Sequence, residues 1–91
     1  MDYLLNYNLT KEDLNFIHNH YSEAMLSNII LKKDNVINII NILKEKEFDV
    51  KYLLLNRLDI FLIDIEDFKN KINRFTSEEL ELLRDDFSMF C

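Results

Sequence analysis

Apolar and polar positions repeat along this chain in a pattern that first sets helix starts. The segment Leu9-Thr10-Lys11-Glu12-Asp13-Leu14-Asn15-Phe16-Ile17-His18 matches Phe75-Thr76-Ser77-Glu78-Glu79-Leu80-Glu81-Leu82-Leu83-Arg84 position by position. In both, an apolar residue precedes a Thr, the third residue after that Thr is acidic, and a Leu opens the buried face. The match continues as Tyr21-Ser22 against Phe87-Ser88. A looser copy begins at Phe48-Asp49, with Asp49 in the Thr position, Leu53 matching Leu14 and Arg57 matching His18. Each copy predicts a capped helix. The Thr or Asp side chain accepts a backbone N–H from the first turn, and Asp13 or Glu79 reaches back to close a capping box. Acids in that turn also favour the positive end of the helix dipole. Leu9 and Phe75 stand where a hydrophobic staple requires them.

Longer helices are predicted between the copies. Val36, Ile37, Ile39, Ile40, Ile42 and Leu43 recur at helical spacing, so 35–46 reads as a largely buried helix with Asp34 as its cap. Ile65, Phe68, Ile72 and Phe75 form a second stripe, capped by Asp64 with Asp67 at the boxing position. Leu58–Leu62 has strand propensity, but a lone strand has no pairing partner, so it reads as a short turn or single helical turn. The chain has no Gly, which leaves Asn8, Asn28 and Asn56 as candidates for left-handed turn positions. The predicted fold is all-α: one domain over 1–91, about two and a half helix-pair units with small linker helices, starting near residues 9, 48 and 75.

This arrangement resembles the helical repeat of the mitochondrial transcription termination factor family. There, an apolar-Ser/Thr-x-x-acidic start and a leucine-rich helix lead into a small linker helix and a longer partner. The resemblance covers residues 5–90 and implies a short superhelix and a nucleic-acid-binding surface. Two features differ. Where the family places Gly before the capped start, this chain has Asn8, Glu47 and Arg74, and the family's Pro at the linker helix is missing.

Composition narrows the function classes. Without Gly, phosphate-cradling loops, dinucleotide turns and EF-hand loops are excluded in their usual form. The formal net charge is −6, and residues 58–91 hold nine acidic against four basic side chains. A general duplex binder carries the opposite sign. Cys91 is the one cysteine, so the chain has no internal disulfide and no thiolate cluster for zinc. The N-terminal residues lack a signal-peptide pattern, and the longest apolar run is too short for a bilayer, which takes about 20 residues. A cytoplasmic protein with no membrane association and no cofactor is expected.

Two charged sets stand out. His18, Arg57 and Arg84 fall at one position of the three copies and could track a phosphate backbone, as the resemblance suggests; each also lies near a helix C-terminus, where a cation gains about 0.3–1 kcal/mol from the dipole. His18 and His20 are two apart and do not share a helix face, so a metal site is not expected. Glu78, Glu79, Glu81, Asp85 and Asp86 dominate the polar surface of the last helix, with Asp59, Asp64, Glu66 and Asp67 as extensions. Such a surface either keeps an apolar domain soluble or docks onto a basic partner protein, where charge complementarity speeds association. No Ser/His/Asp or Cys/His spacing suggests a nucleophile, so no catalytic residues are assigned and an enzyme is not expected. The ends of a repeat stack expose apolar surface, here Tyr3, Leu4, Leu5 and Tyr7 and, at the other end, Phe87, Met89 and Phe90; the chain's own termini or a second copy in a homodimer would cover it. The expected function is a non-enzymatic, acidic protein-interaction module, such as a phage or mobile-element inhibitor of a nucleic-acid-binding enzyme in the manner of an anti-CRISPR. The alternative is a nucleic-acid-binding helical-repeat module.

Overall fold

The computed structural model describes residues 2–90, the Met89 side chain excepted; Cys91 lies outside them. Six α-helices follow in order: α1 (Lys11–His20), α2 (Glu23–Leu31), α3 (Lys33–Glu45), α4 (Val50–Asn56), α5 (Ile65–Ile72) and α6 (Ser77–Asp85). Three 3-10 segments, Asp2–Tyr7, Leu58–Leu62 and Phe87–Met89, complete an all-helical fold without a strand among the described residues.

The helix starts follow from the repeated caps. Thr10 Oγ1 accepts from the Asp13 N–H at 3.1 Å, and the Asp13 carboxylate accepts from the Thr10 N–H at 2.9 Å. Thr76 and Glu79 form the same reciprocal pair at 3.2 and 3.0 Å. Asp49 accepts from Tyr52 N at 3.1 Å, giving the second copy the same first-turn cap without the returning acid. Asp64 caps α5, but it accepts from Glu66 N, one residue short of Asp67. The predicted cap of α3 is not formed. α2 and α3 are separated by Lys32 alone, whose side chain caps nothing, and Asp34 lies within the first turn of α3. The carbonyl of Lys32 already serves Val36 N at 3.0 Å, so the two helices are nearly continuous and leave no room for an Asp cap.

Left-handed backbone occurs at Asn8 (φ 70°) and at Glu47 (φ 65°). Asn28 lies inside α2 and Asn56 ends α4, so neither takes that conformation. Asn8 and Glu47 hold equivalent positions, each directly before the apolar residue that precedes a cap. At Glu47 the reason is visible. Phe48 N donates to Leu43 O at 2.9 Å and Glu47 N to Lys44 O at 3.0 Å, the paired bonds that close a helix through one left-handed residue. Buried Leu43 and Phe48 stand at the two positions whose apolar contact commonly accompanies this closure.

The core is built around α3. Val36, Ile39, Ile40 and Leu43 are fully buried and α3 packs on α2, α4, α5 and Leu58–Leu62. Leu58, Ile60 and Phe61 fill the centre from that 3-10 segment. Three side chains tie separate elements through backbone groups. Tyr3 donates to Ile29 O at 2.7 Å, and Tyr21 donates to Leu55 O at 2.9 Å. Asn35 does more: its amide N–H₂ donates to Phe61 O and Ile63 O at 3.3 and 2.8 Å, and its oxygen accepts from Ile65 N at 3.0 Å. One α3 side chain thus closes the 3-10 segment and opens α5. Each such bond is worth about 0.5–1.5 kcal/mol.

Both ends of the stack are folded over by the chain itself. Phe87 and Phe90 are 7% and 2% exposed, and Phe90 packs on Phe68 and Phe75 with centroids 5.4 and 6.1 Å away. Leu4 is fully buried at the other end. There, however, Leu5, Ile30 and Leu31 remain on the surface.

Candidate functional site

α6 buries Leu83 and half-buries Leu80. With 3.6 residues per turn, this turns Glu78, Glu81, Leu82 and Asp85 together toward solvent. All four are exposed, and Leu82 keeps 57% of its surface. Glu78, Glu81 and Asp85 form no ion pair among the described residues; the pairs present there are Lys51–Asp13 and Arg57–Asp59, each at 3.3 Å. An exposed apolar side chain therefore shares this outward face with three carboxylates that form no ion pair among the described residues.

The remaining acidic candidates have other surroundings. Glu79 is held by the capping box of α6. Asp86 accepts from the Ser88 hydroxyl at 2.6 Å and from its N–H at 3.1 Å, and these bonds, the hydroxyl first, hold its carboxyl below the usual range. Asp64 is the cap of α5 and shares a crevice with Lys32, Asn35 and Leu62. Glu66 and Asp67 are exposed beside it in the first turn of α5. Lys69 and Lys71 follow in the last turn of α5.

The basic candidates fall in two places. Arg57 and Arg84 meet in a groove of about 270 Å³ between α4 and the end of α6, whose walls also carry Tyr52, Asn56, Asp85 and Asp86. Arg57 pairs with Asp59 and lies 5.8 Å from the Phe87 ring centroid. Arg84 Nε donates to Lys46 O at 2.8 Å, covering the C-terminal carbonyl of α3, and its guanidinium lies 5.6 Å from the Phe48 ring. Both cations are engaged in holding one copy against the next. His18 is elsewhere, in a groove of about 530 Å³ among Asp2–Tyr7, α1 and α2.

Comparison with family models, curated proteins and solved structures returns no match. The described residues contain no group of three His, Cys, Asp or Glu side chains placed to hold a metal ion. No helix among them is long and apolar enough to cross a membrane.

Leu82 is the residue that sequence reasoning missed. Its signal is positional: with Leu80 and Leu83 assigned to the core, a leucine between them points outward. Phe16 occupies the same place in the first copy, two residues after Leu14, and is 40% exposed. Its ring stacks on His20 at 3.9 Å, which partly occupies it. Asp13, on that helix, is held below the ordinary carboxylate range by the Thr10 N–H it accepts, with Lys51 adding to the effect. The outer surface of the first copy is thus satisfied locally, whereas that of α6 is not.

Proposed function

We propose that this protein is a non-enzymatic interaction module that binds a protein with a basic surface through the outer face of α6. The observation that carries this reading is Leu82, an exposed leucine on the same helix face as Glu78, Glu81 and Asp85, which have no ion-pair partner among the described residues. A purely solubilising helix face gains nothing from a leucine at its centre. Protein interfaces commonly set an apolar centre within a polar rim. In its finer form, the partner is a nucleic-acid-binding enzyme whose basic channel receives this face, the mode of action of a phage or mobile-element inhibitor. Nucleic-acid binding by the repeat cations is the weaker reading, since Arg57 and Arg84 are spent on internal contacts and His18 lies in a separate groove.

The test is affinity capture from nuclease-treated native lysate with the wild type and with a variant combining Glu78→Lys, Glu81→Lys and Asp85→Lys. Capture of a defined partner should be lost in the variant while circular dichroism shows unchanged helicity. Undiminished capture would remove α6 from the interface. Tight, salt-sensitive binding to nucleic acid that disappears when His18, Arg57 and Arg84 become Ala would favour the other reading.

A further inference from the structure

The cations of this chain are used unevenly. Lys51 and Arg57 form ion pairs, Arg84 covers a carbonyl, and Lys33 and Lys44 lie over the rings of Tyr3 and Tyr7 at 5.5 and 5.8 Å. Lys69, Lys71 and Arg74 do none of this: at the end of α5 they form no ion pair, side-chain hydrogen bond or ring contact among the described residues. Lys71 and Arg74 line a pocket of about 90 Å³ together with Phe75 and Phe90. Arg74 is exposed and Phe90 is buried, so a cationic edge stands over an aromatic floor. The flanking acids Asp67 and Glu78 neither line this pocket nor pair with its cations. The outward face of α6 has the reverse composition, an exposed leucine with three carboxylates, and no residue of α6 lines the pocket.

We propose that the α6 face of one copy docks on this patch of another, with Leu82 in the pocket and Glu78, Glu81 and Asp85 toward Lys69, Lys71 and Arg74. Two separate properties select this occupant. The first is charge: unpaired cations meet unpaired carboxylates, in a chain whose net charge of −6 opposes most other contacts between copies and opposes a phosphate backbone as well. The second is size. A cavity that holds one benzene ring measures about 150 Å³, so a pocket of about 90 Å³ suits the tip of an aliphatic side chain better than a nucleobase. Leu82, 57% exposed, is such a side chain. Arg74 adds direction, since a guanidinium takes a carboxylate through two parallel bonds. Because the two surfaces differ, the contact is heterologous: it closes into a ring or continues as a chain, according to the rotation between copies. It uses the same face as the proposed partner site without requiring that partner to exist, and bound copies would shield α6 from a basic partner until displaced.

A mixing experiment tests this arrangement. Leu82→Asp removes the anchor and keeps the patch; Lys69→Glu combined with Arg74→Glu reverses the patch and keeps the anchor. All three positions are exposed, and circular dichroism verifies that each variant is folded. By sedimentation velocity or light scattering, the wild type should form species larger than a monomer as concentration rises, and each variant alone should remain monomeric. An equimolar mixture of the two should give one-to-one dimers, since one intact patch and one intact face remain between them. A monomeric wild type at all concentrations would overturn the proposal, as would assembly that survives Leu82→Asp or a mixture that stays monomeric. A gel shift of a single-stranded oligonucleotide by the wild type, lost in the Lys69→Glu and Arg74→Glu variant, would assign the patch to nucleic acid and overturn it too. The partner reading is scored separately, because this variant leaves α6 intact and should still capture a basic partner even if self-association fails.

Discussion

Replacing Glu47 by Gly should stabilise the protein, although Gly usually weakens a chain by enlarging its unfolded freedom. Glu47 sits at φ 65°, where the Cβ of an L-residue crowds the backbone at a cost of about 1–2 kcal/mol. Gly escapes that crowding and returns about 0.5–1 kcal/mol as extra unfolded-state entropy. The net gain is about 0.5–1 kcal/mol. For a chain of 91 residues, an unfolding entropy of about 2.1 cal/mol/K per residue converts this to a rise in Tm of about 3–5 °C. Glu47 also places a carboxylate at the negative end of α3, which is unfavourable in its own right. Glu47→Gln separates the two causes, because it removes the charge and keeps the Cβ. Glu45→Gly, in the regular last turn of α3, should instead lose roughly 0.5 kcal/mol. Thermal and urea unfolding of the four proteins decides the matter. A Glu47→Gly protein no more stable than Glu47→Gln would refute the conformational argument.

Three further outcomes are expected. Asn35→Ala leaves Phe61 O, Ile63 O and Ile65 N without their partner and should cost about 2–3 kcal/mol in urea unfolding, whereas Asn38→Ala on the exposed side of α3 should change stability by less than about 0.5 kcal/mol. Thr10→Ala and Thr76→Ala should each cost about 1 kcal/mol, and together they should add, since the two caps share no partner. Burial first, and then the neighbouring Tyr7, pushes the Tyr3 hydroxyl from 10.0 up to about 12. A raised folded value means stability that is complete below 10.0 and is lost as pH rises toward about 12, so an alkaline unfolding series should show that loss and Tyr3→Phe should make it shallower.

Features decided within a few residues were legible in the sequence. The caps at Thr10, Asp49, Asp64 and Thr76 form because each acceptor meets an N–H two or three positions away. The reading of Leu58–Leu62 as a helical turn and not a strand holds for an equally simple reason: no second strand exists among the described residues to pair with it. What failed were positions governed by neighbouring elements. Asp34 does not cap α3, because α2 runs almost directly into it. Glu47 takes the left-handed conformation on account of the Leu43–Phe48 closure, with no preference of its own for it. The role of Asn35 depends on carbonyls at least 26 positions away, beyond the reach of any periodicity. In the candidate site, the acids of α6 could be read from composition alone. The meeting of Arg57 with Arg84 in one groove required the helices to be placed in space.

The donors Tyr3, Tyr21 and Asn35 address main-chain carbonyls and not side chains. Substitutions at the accepting residues, Ile29, Leu55, Phe61 and Ile63, would keep every one of these bonds, whereas loss of a donor hydroxyl or amide deletes it. Drift among descendants of this sequence should therefore be one-sided, holding the donors and freeing the acceptors. Paired changes across these contacts should be scarce, so methods that infer proximity from correlated substitution would overlook the links that fasten one part of this chain to another.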